Sequence, residues 1–206
     1  MRTPAGKLVT VFGGSGFVGR HVVRALAKRG YRVRAAVRRP DLAGHLQPMG
    51  VVGQIMAVQA NVRYPESVSR AIAGADAVVN LVGILAEGGK QTFEAVHAEG
   101  ADSIARAAEA AGLGLVHMSA IGAEENSDSL YARSKAAGEA ADFGSVPRAI
   151  VLRPSIQFGP EDQFFNRFAA MARFSPALPL VGASTRLQPV FVGDVAEMVA
   201  RSVDGA

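Results

Sequence analysis

A tyrosine, a lysine and a serine in this chain have the chemistry of a proton-transfer site. Tyr131 and Lys135 stand four residues apart in a segment with helical spacing, which places both side chains on one face. Tyr131 would supply or take a proton at a carbonyl or alcohol, which requires a phenol pKa well below its free value of about 10. The Lys135 ammonium would favour the phenolate, and Ser119 would polarise the substrate oxygen. We call these three residues the acid–base set; the alternative is an exposed helical pair without chemistry.

A glycine-rich turn near the start of the chain is typical of a diphosphate site. Gly13, Gly16 and Gly19 lie between a short apolar run and a segment with helical spacing. Gly13 permits the turn, Gly16 lets the backbone approach a diphosphate, and Gly19 allows close packing of helix and sheet. Phe17 and Val18 open the helix, where unpaired N–H groups can bind phosphate oxygens. The alternative is a tight strand-to-helix turn without a ligand.

Two arginines favour the phosphorylated form of a dinucleotide. A free ribose 2′-hydroxyl is usually held by an acidic residue about 20 residues after the glycine turn, but here Arg38 and Arg39 occupy that place. Guanidinium groups suit a 2′-phosphate, with Arg38 as the first choice and Arg39 as the second. Asn61 and Val62 follow the third apolar run, where Asn61 could accept from the adenine amino group. We therefore expect NADP(H), with NAD(H) as the alternative.

The elements that would position these residues alternate regularly along the chain. Apolar runs predict strands over residues 7–12, 31–37, 54–59, 77–82, 115–119 and 149–152. Helical spacing predicts helices over residues 17–28, 65–73, roughly 92–111, 129–141, 164–173 and 195–203. Strands that alternate with helices indicate an α/β fold, a Rossmann-like doubly wound parallel sheet.

Composition narrows the classes of function. The chain has 206 residues and no Cys, which excludes disulfides and a cysteine nucleophile. Its four His residues show no ligand spacing, so we expect no metal site. Ten of the 22 Lys and Arg residues, from Arg2 to Arg39, precede the first acidic residue, Asp41. This basic half would attract phosphates, acidic partners or anionic lipid, whereas the absence of Trp and of a recognisable module argues against nucleic acid.

These motifs resemble the short-chain dehydrogenase/reductase family, in its extended and atypical branches. The resemblance rests on the glycine spacing, on Tyr131 and Lys135, and on Val82 and Gly83 at the end of the fourth predicted strand. It implies that Val82 and Gly83 line a nicotinamide dinucleotide cleft. It also implies that Lys135 holds ribose hydroxyls.

Two runs in the second half are similar to the NADPH-binding accessory subunit of respiratory complex I, the alpha-subcomplex subunit nine type, and to its bacterial relatives. They cover residues 152–168, including Pro154, and residues 188–196. The resemblance implies that Pro154 contacts the cofactor. It implies a dinucleotide-binding domain over residues 1–153 and the start of a small C-terminal lobe over residues 154–206, which family members continue for about another hundred residues.

The resemblance implies a protein that holds NADPH as an accessory or assembly factor of a respiratory NADH:quinone oxidoreductase. Such a protein would be cytoplasmic or peripheral on the cytoplasmic face of the inner membrane. Phe164, Phe165 and Phe168 would face a quinone or lipid, although such spacing is also typical of core packing. The alternative is an NADPH-dependent reductase, dehydrogenase or epimerase that uses the acid–base set.

Overall fold

The computed structural model describes residues 6–174 and 186–205. A six-stranded parallel sheet dominates it, in the order β3-β2-β1-β4-β5-β6. Its strands are β1 (Leu8–Phe12), β2 (Arg32–Val37), β3 (Ile55–Gln59), β4 (Ala77–Asn80), β5 (Gly114–Met118) and β6 (Ile150–Leu152). The helices are α1 (Phe17–Lys28), α2 (Pro65–Ile72), α3 (Glu99–Ala110), α4 (Leu130–Ser145), α5 (Phe165–Ala172) and α6 (Val192–Gly205). A second sheet pairs β7 (Gln157–Phe158) with β8 (Val190–Phe191).

The strand order reverses beside β1. Phe12, the last residue of β1, lies opposite Ala36 of β2 on one side and Asn80 of β4 on the other. The connections that follow β1 and β4 therefore leave the sheet in different directions and open a crevice at its carboxyl edge. The predicted doubly wound α/β fold is confirmed, and the crevice lies where such folds bind their ligands.

Helices cover both faces of the sheet, which explains why its strands are almost continuously apolar. Val9 and Val11 pack in one cluster with residues of α1 and α6. Phe12 packs in a second cluster with residues of α2 and α3. Because successive side chains of a strand point to opposite faces, one short strand anchors both layers and places the turn after Phe12 between them.

Several elements differ in their bounds from the prediction, and two of these differences bear on the site. The helix predicted over residues 92–111 begins as a π-helical stretch, Glu94–Ala98, and continues as α3. His97 lies in this π-helical stretch, and its Nε2 accepts from the Ile84 N–H, in the loop after β4, at 2.9 Å. The fourth strand stops at Asn80 because its side-chain oxygen accepts from Val82 N at 3.0 Å and turns the backbone.

Two arginines of the basic N-terminal half hold elements of the fold together. Arg29, at the end of α1, pairs with Glu197 and Asp204 of α6 and so connects the two helices. Arg34 of β2 donates to the carbonyl oxygens of residues 71 and 73. These two guanidinium groups are therefore engaged within the fold, whereas Arg2 lies outside the described residues.

The segment after β6 is not separated from the main core. Helix α6 packs against α1 and contributes Val195, Val199 and Val203 to the cluster that contains β1. The boundary at residue 153 stays a prediction. No helix within residues 6–174 and 186–205 has both the length and the apolar character needed to cross a bilayer.

Candidate functional site

The glycine turn has the geometry expected at the carboxyl end of β1. Gly13 adopts a φ of +78°, which side-chain-bearing residues rarely tolerate. Its N–H donates to the Ala36 carbonyl at 3.1 Å, and Gly16 N donates back to the Gly13 carbonyl at 3.0 Å. Phe17 and Val18 are the first residues of α1, so their N–H groups have no helical carbonyl to bind. The turn therefore offers backbone donors to an anion at the crevice.

Glycine is required at position 19 because helix α1 lies very close to the backbone of the glycine turn. A Cβ at this position would overlap the Gly13 carbonyl oxygen and lie 2.7 Å from Gly14 Cα. Both neighbours are backbone atoms of the turn, which cannot move aside as a flexible side chain would. Helix α1 can therefore pack this closely on the turn only because residue 19 has no side chain.

Gly19→Ala is expected to destabilise the protein and to distort the diphosphate turn. Overpacking of this kind costs about 1–3 kcal/mol of the free energy of unfolding, and a rigid backbone neighbour favours the upper end. Urea unfolding followed by circular dichroism measures it. Gly144→Ala in α4 is the matched control, because a Cβ there has nothing within 4 Å and Ala favours a helix. Equal stability of the two variants would contradict the packing argument.

A cleft of about 220 Å³ opens at the carboxyl ends of β1, β2, β3 and β4. It brings together residues that are far apart in the chain. The predicted cofactor-binding residues that line it are Gly13, Gly16, Arg38, Asn61, Val62, Val82 and Gly83. The turn, the end of β2 and the end of β3 thus form one continuous wall, as a dinucleotide requires.

The structure separates the two predicted phosphate-binding arginines. Arg38 lines the cleft and donates through Nη1 to Gln91 Oε1. Arg39 is not among the lining residues; its Nη2 lies 2.9 Å from Asp41 Oδ2 on the surface. The Asp41 carboxylate raises the pKa of Arg39, in a mutual ion pair at the surface. Arg38 is therefore the guanidinium placed to meet a ligand in the cleft.

Asn61 and Val62 contribute to the wall after β3. Asn61 Oδ1 accepts from Arg63 N at 3.2 Å, so this oxygen already has one donor. Val62 is buried and packs with the α2 and α3 layer. The predicted contact of Asn61 with an adenine amino group would use the second lone pair of the same oxygen.

Several residues that line the cleft were missed by the sequence reasoning, Arg63 and Gln91 among them. Gln91 is brought to it by a turn that closes through an isolated bridge between Gly88 and Gln91. The arginine directly after Val62 was a visible signal for a second cation, but no spacing rule connects position 91 with position 38.

Lys135 of the acid–base set lies beyond Gly83, and none of the three residues of that set lines the cleft itself. A Cβ on Gly83 would lie 3.6 Å from Lys135 Nζ, which places the ammonium directly behind the wall. Lys135 and Ser119 are each only 4% exposed. Lys135 Nζ donates to the Met118 carbonyl at 3.0 Å, and so lies beside the residue that precedes Ser119.

Ser119 has an unused hydrogen-bonding group. Its N–H donates to the Leu152 carbonyl at 2.8 Å, but its buried Oγ has no partner among the described residues. A buried hydroxyl without a protein partner is available to a ligand or to a buried water. Pro154 is held nearby because its carbonyl accepts from Ile121 N at 2.9 Å, although it is not a lining residue of the cleft.

The prediction for the pKa of Tyr131 is wrong for this structure. Burial raises the pKa of the Tyr131 phenol above its usual value of 10. Lys135, which was expected to lower it, directs its ammonium to the Met118 carbonyl instead. Burial also lowers the pKa of Lys135 to about 8, against the opposing carboxylates of Asp142 and Glu139. The phenol is therefore neutral at physiological pH and suited to donate a proton.

His97 is a buried site residue that the sequence analysis did not single out. Its ring stands edge-on to Tyr131, with centroids 5.4 Å apart. Nε2 accepts from the Ile84 N–H, so Nδ1 carries the proton and donates to Ser134 Oγ at 2.9 Å. Burial, aided by the Lys135 ammonium, lowers the pKa of His97 to about 4. A neutral ring with both nitrogens engaged thus fixes Tyr131 against the loop after β4.

The phenylalanines Phe164, Phe165 and Phe168, which were predicted to face a ligand or the core, contact one another near the surface. Phe164 stands edge-on to Phe165 and Phe168, with centroids 5.0 and 5.3 Å apart. Phe158 of β7 joins the group beside Phe165. Phe164 is 41% exposed, so it is not a core residue within the described part of the chain. The rings form an aromatic patch whose quinone or lipid ligand stays a prediction.

Fold and site together define a class of protein. A parallel sheet with a reversed strand order, a glycine turn into α1 and a cleft across β1 and β4 constitute a Rossmann-type dinucleotide site. Residues 13–143 match the family model described as NAD(P)H-binding. The chain belongs to this NAD(P)H-binding family, and its ligand is a nicotinamide dinucleotide.

Two curated relatives have different roles. The chain is 35% identical over 199 residues to "NADH dehydrogenase [ubiquinone] 1 alpha subcomplex subunit 9, mitochondrial" of Arabidopsis thaliana, covering 95% of this chain and 50% of the relative. It is 34% identical over 196 residues to "Ceramide reductase" of Caulobacter vibrioides, covering 95% of this chain and 61% of the relative. The chain thus spans about half to three-fifths of these relatives.

A solved structure shares the fold. The Bordetella bronchiseptica enzyme WbmH in complex with NAD⁺ has a TM-score of 0.80 at 20% identity, covering 97% of this chain and 73% of that chain. That enzyme therefore holds a nicotinamide dinucleotide on a similar fold. The predicted resemblance to the alpha-subcomplex subunit nine type is confirmed by the Arabidopsis relative, while the choice between NAD and NADP is a separate question.

Proposed function

We propose that the protein binds NADP(H) and serves as an accessory or assembly factor of a respiratory NADH:quinone oxidoreductase. The observation that carries the cofactor choice is Arg38, whose guanidinium lines the cleft at the end of β2. A planar, permanently charged group at this position matches a 2′-phosphate. The lining of the cleft contains no carboxylate that could accept a hydrogen bond from a free ribose 2′-hydroxyl. The glycine turn would hold the diphosphate.

The accessory role is supported by the likeness to the complex I subunit and by surface charge. The relative of that name matches 95% of this chain. Several early cations, such as Arg24 and Lys28 on α1, remain available on the surface for acidic partners or anionic lipid. Such a role needs cofactor binding as a structural element and does not need turnover.

The protein is expected to copurify with the respiratory complex after gentle detergent extraction of the membranes. A tagged full-length protein in its own host would be followed by native electrophoresis and mass spectrometry. Arg38→Asp, which should lose NADPH, tests whether association depends on the cofactor. Consistent absence of the unmodified protein from the complex, and from its assembly intermediates, would refute the accessory role.

A second candidate function is an NADPH-dependent reductase, favoured by the unpartnered Oγ of Ser119. A bound NADPH would supply hydride to a carbonyl carbon. Ser119 would donate a hydrogen bond to the carbonyl oxygen, and the neutral Tyr131 phenol would transfer its proton to that oxygen to complete the alcohol. Lys135, behind Gly83, would hold the ribose hydroxyls of the cofactor.

The substrate of such a reductase would be a hydrophobic carbonyl compound. The relative named ceramide reductase gives one precedent for an apolar substrate. The aromatic patch around Phe164 offers exposed rings that could contact an alkyl chain. These two observations support a lipid-like ligand more than a small polar one.

A further inference from the structure

A short turn lies against the cleft and is attached to it by two arginines. Residues 88–91 form this turn, closed by hydrogen bonds between Gly88 N and the Gln91 carbonyl, and between Gln91 N and the Gly88 carbonyl, both at 3.0 Å. Arg38 Nη1 donates to Gln91 Oε1. Arg63 Nη1 donates to the Lys90 carbonyl at 3.3 Å. We call this segment the 88–91 turn.

Arg38 and Arg63 reach the same cleft from adjacent strands. Arg38 follows β2 and Arg63 lies four residues after the end of β3, and these strands pair in parallel. Parallel neighbours end at the same edge of a sheet, which explains why both guanidinium groups line the cleft. Neither has an acidic partner among the ion pairs of the described residues. Their contacts to the 88–91 turn use neutral oxygens.

A neutral oxygen is a weak partner for a guanidinium compared with a phosphate dianion. A guanidinium that donates to a carboxamide already makes a charge-assisted hydrogen bond, but a phosphate adds an opposite charge and can receive two parallel N–H groups. A ribose hydroxyl has no such advantage over a carboxamide oxygen. A phosphorylated ligand would therefore displace Gln91 from Arg38, whereas an unphosphorylated one would leave the contact in place.

We propose that Gln91 is a specificity-determining residue which competes with the 2′-phosphate of NADP(H) for Arg38, and that Arg63 is a second guanidinium for that phosphate. This inference rests on the proposed NADP(H) function. The side chain of residue 91 sets how strongly the phosphorylated cofactor is preferred, because each binding event must first release it. NAD(H) binds without releasing Gln91 from Arg38.

Replacing Gln91 tests the competition directly. Gln91→Ala should bind NADPH about three- to tenfold more tightly, and Gln91→Glu at least about tenfold more weakly, because a carboxylate pairs with Arg38 and repels phosphate. Both variants should bind NADH within about twofold of the unmodified protein. Isothermal titration of the full-length protein gives these constants. Adenosine 2′,5′-bisphosphate and 5′-AMP, which lack the nicotinamide, show whether the effect belongs to the phosphate.

Arg63→Ala tests the second guanidinium. It should weaken NADPH and adenosine 2′,5′-bisphosphate by about tenfold and leave NADH and 5′-AMP within about twofold. Arg32→Ala is the matched control, since Arg32 is exposed at the opposite end of β2. Thermal melting confirms that each variant is folded.

The outcomes distinguish the two proposals. If the unmodified protein binds NADPH and NADH equally, the proposed NADP(H) function fails, and this inference fails with it. If the protein prefers NADPH and Arg38→Asp removes the preference, but the Gln91 variants behave alike, the competition is refuted while NADP(H) binding stands. Loss of NADH affinity in Arg63→Ala, equal to the loss of NADPH affinity, would refute the phosphate role of Arg63.

Discussion

Tyr131→Phe is expected to abolish reductase turnover while leaving NADPH affinity within about twofold. The phenol hydroxyl is the proton donor in the proposed reduction, and general acid catalysis contributes about 10²–10⁴-fold to a rate. Phe keeps the ring contacts with Phe93 and His97, so the packing around α4 should survive. The measurement is NADPH oxidation with a panel of hydrophobic ketones and aldehydes, together with NADPH binding by fluorescence.

Tyr64→Phe is the control for this variant. It removes the same hydroxyl from a tyrosine that is 54% exposed and lies before α2. Its rate should equal that of the unmodified protein. A rate for Tyr131→Phe that is unchanged would remove Tyr131 from the mechanism. Absence of turnover by the unmodified protein across the panel would reject the reductase and leave the accessory role.

Arg38→Asp is expected to weaken NADPH binding by about tenfold to a hundredfold and to affect NADH far less. Loss of a charge-assisted contact costs about 1.5–3 kcal/mol, and the new carboxylate repels a phosphate while it can accept from a ribose hydroxyl. Titration of both cofactors against the variant and the unmodified protein gives the ratio of dissociation constants.

Arg39→Asp makes the same change in charge at the neighbouring residue. Arg39 lies outside the cleft lining and pairs with Asp41, so its replacement should alter NADPH affinity by less than about threefold through long-range charge alone. A larger effect at Arg39 than at Arg38 would reverse the assignment. Equal effects of Arg38→Asp on NADPH and NADH would show that Arg38 does not contact the extra phosphate.

Local patterns were enough to predict the framework of the site. The apolar run before Gly13 and the helical spacing after Gly16 predicted a strand and a turn, and they predicted α1 with the bounds that the structure shows. Such patterns are informative because hydrophobic periodicity and glycine conformation act over a few residues. The same reasoning placed Tyr131 and Lys135 on one helix, since their spacing depends only on helical geometry.

Contacts between distant segments were decided by the tertiary structure alone. Gln91 meets Arg38 across 53 positions, and His97 contacts Ile84 and Ser134 through a π-helical turn that no spacing rule indicated. The direction in which the pKa of Tyr131 shifts also depended on the fold, because packing decides both the burial of the phenol and the hydrogen-bond partner of the Lys135 ammonium. The sequence by itself determined the elements and the glycine turn, which follow from local geometry. The tertiary structure decided which side chains face one another and which charge state each one has. Both depend on desolvation and on proximity, which exist only once the chain is folded.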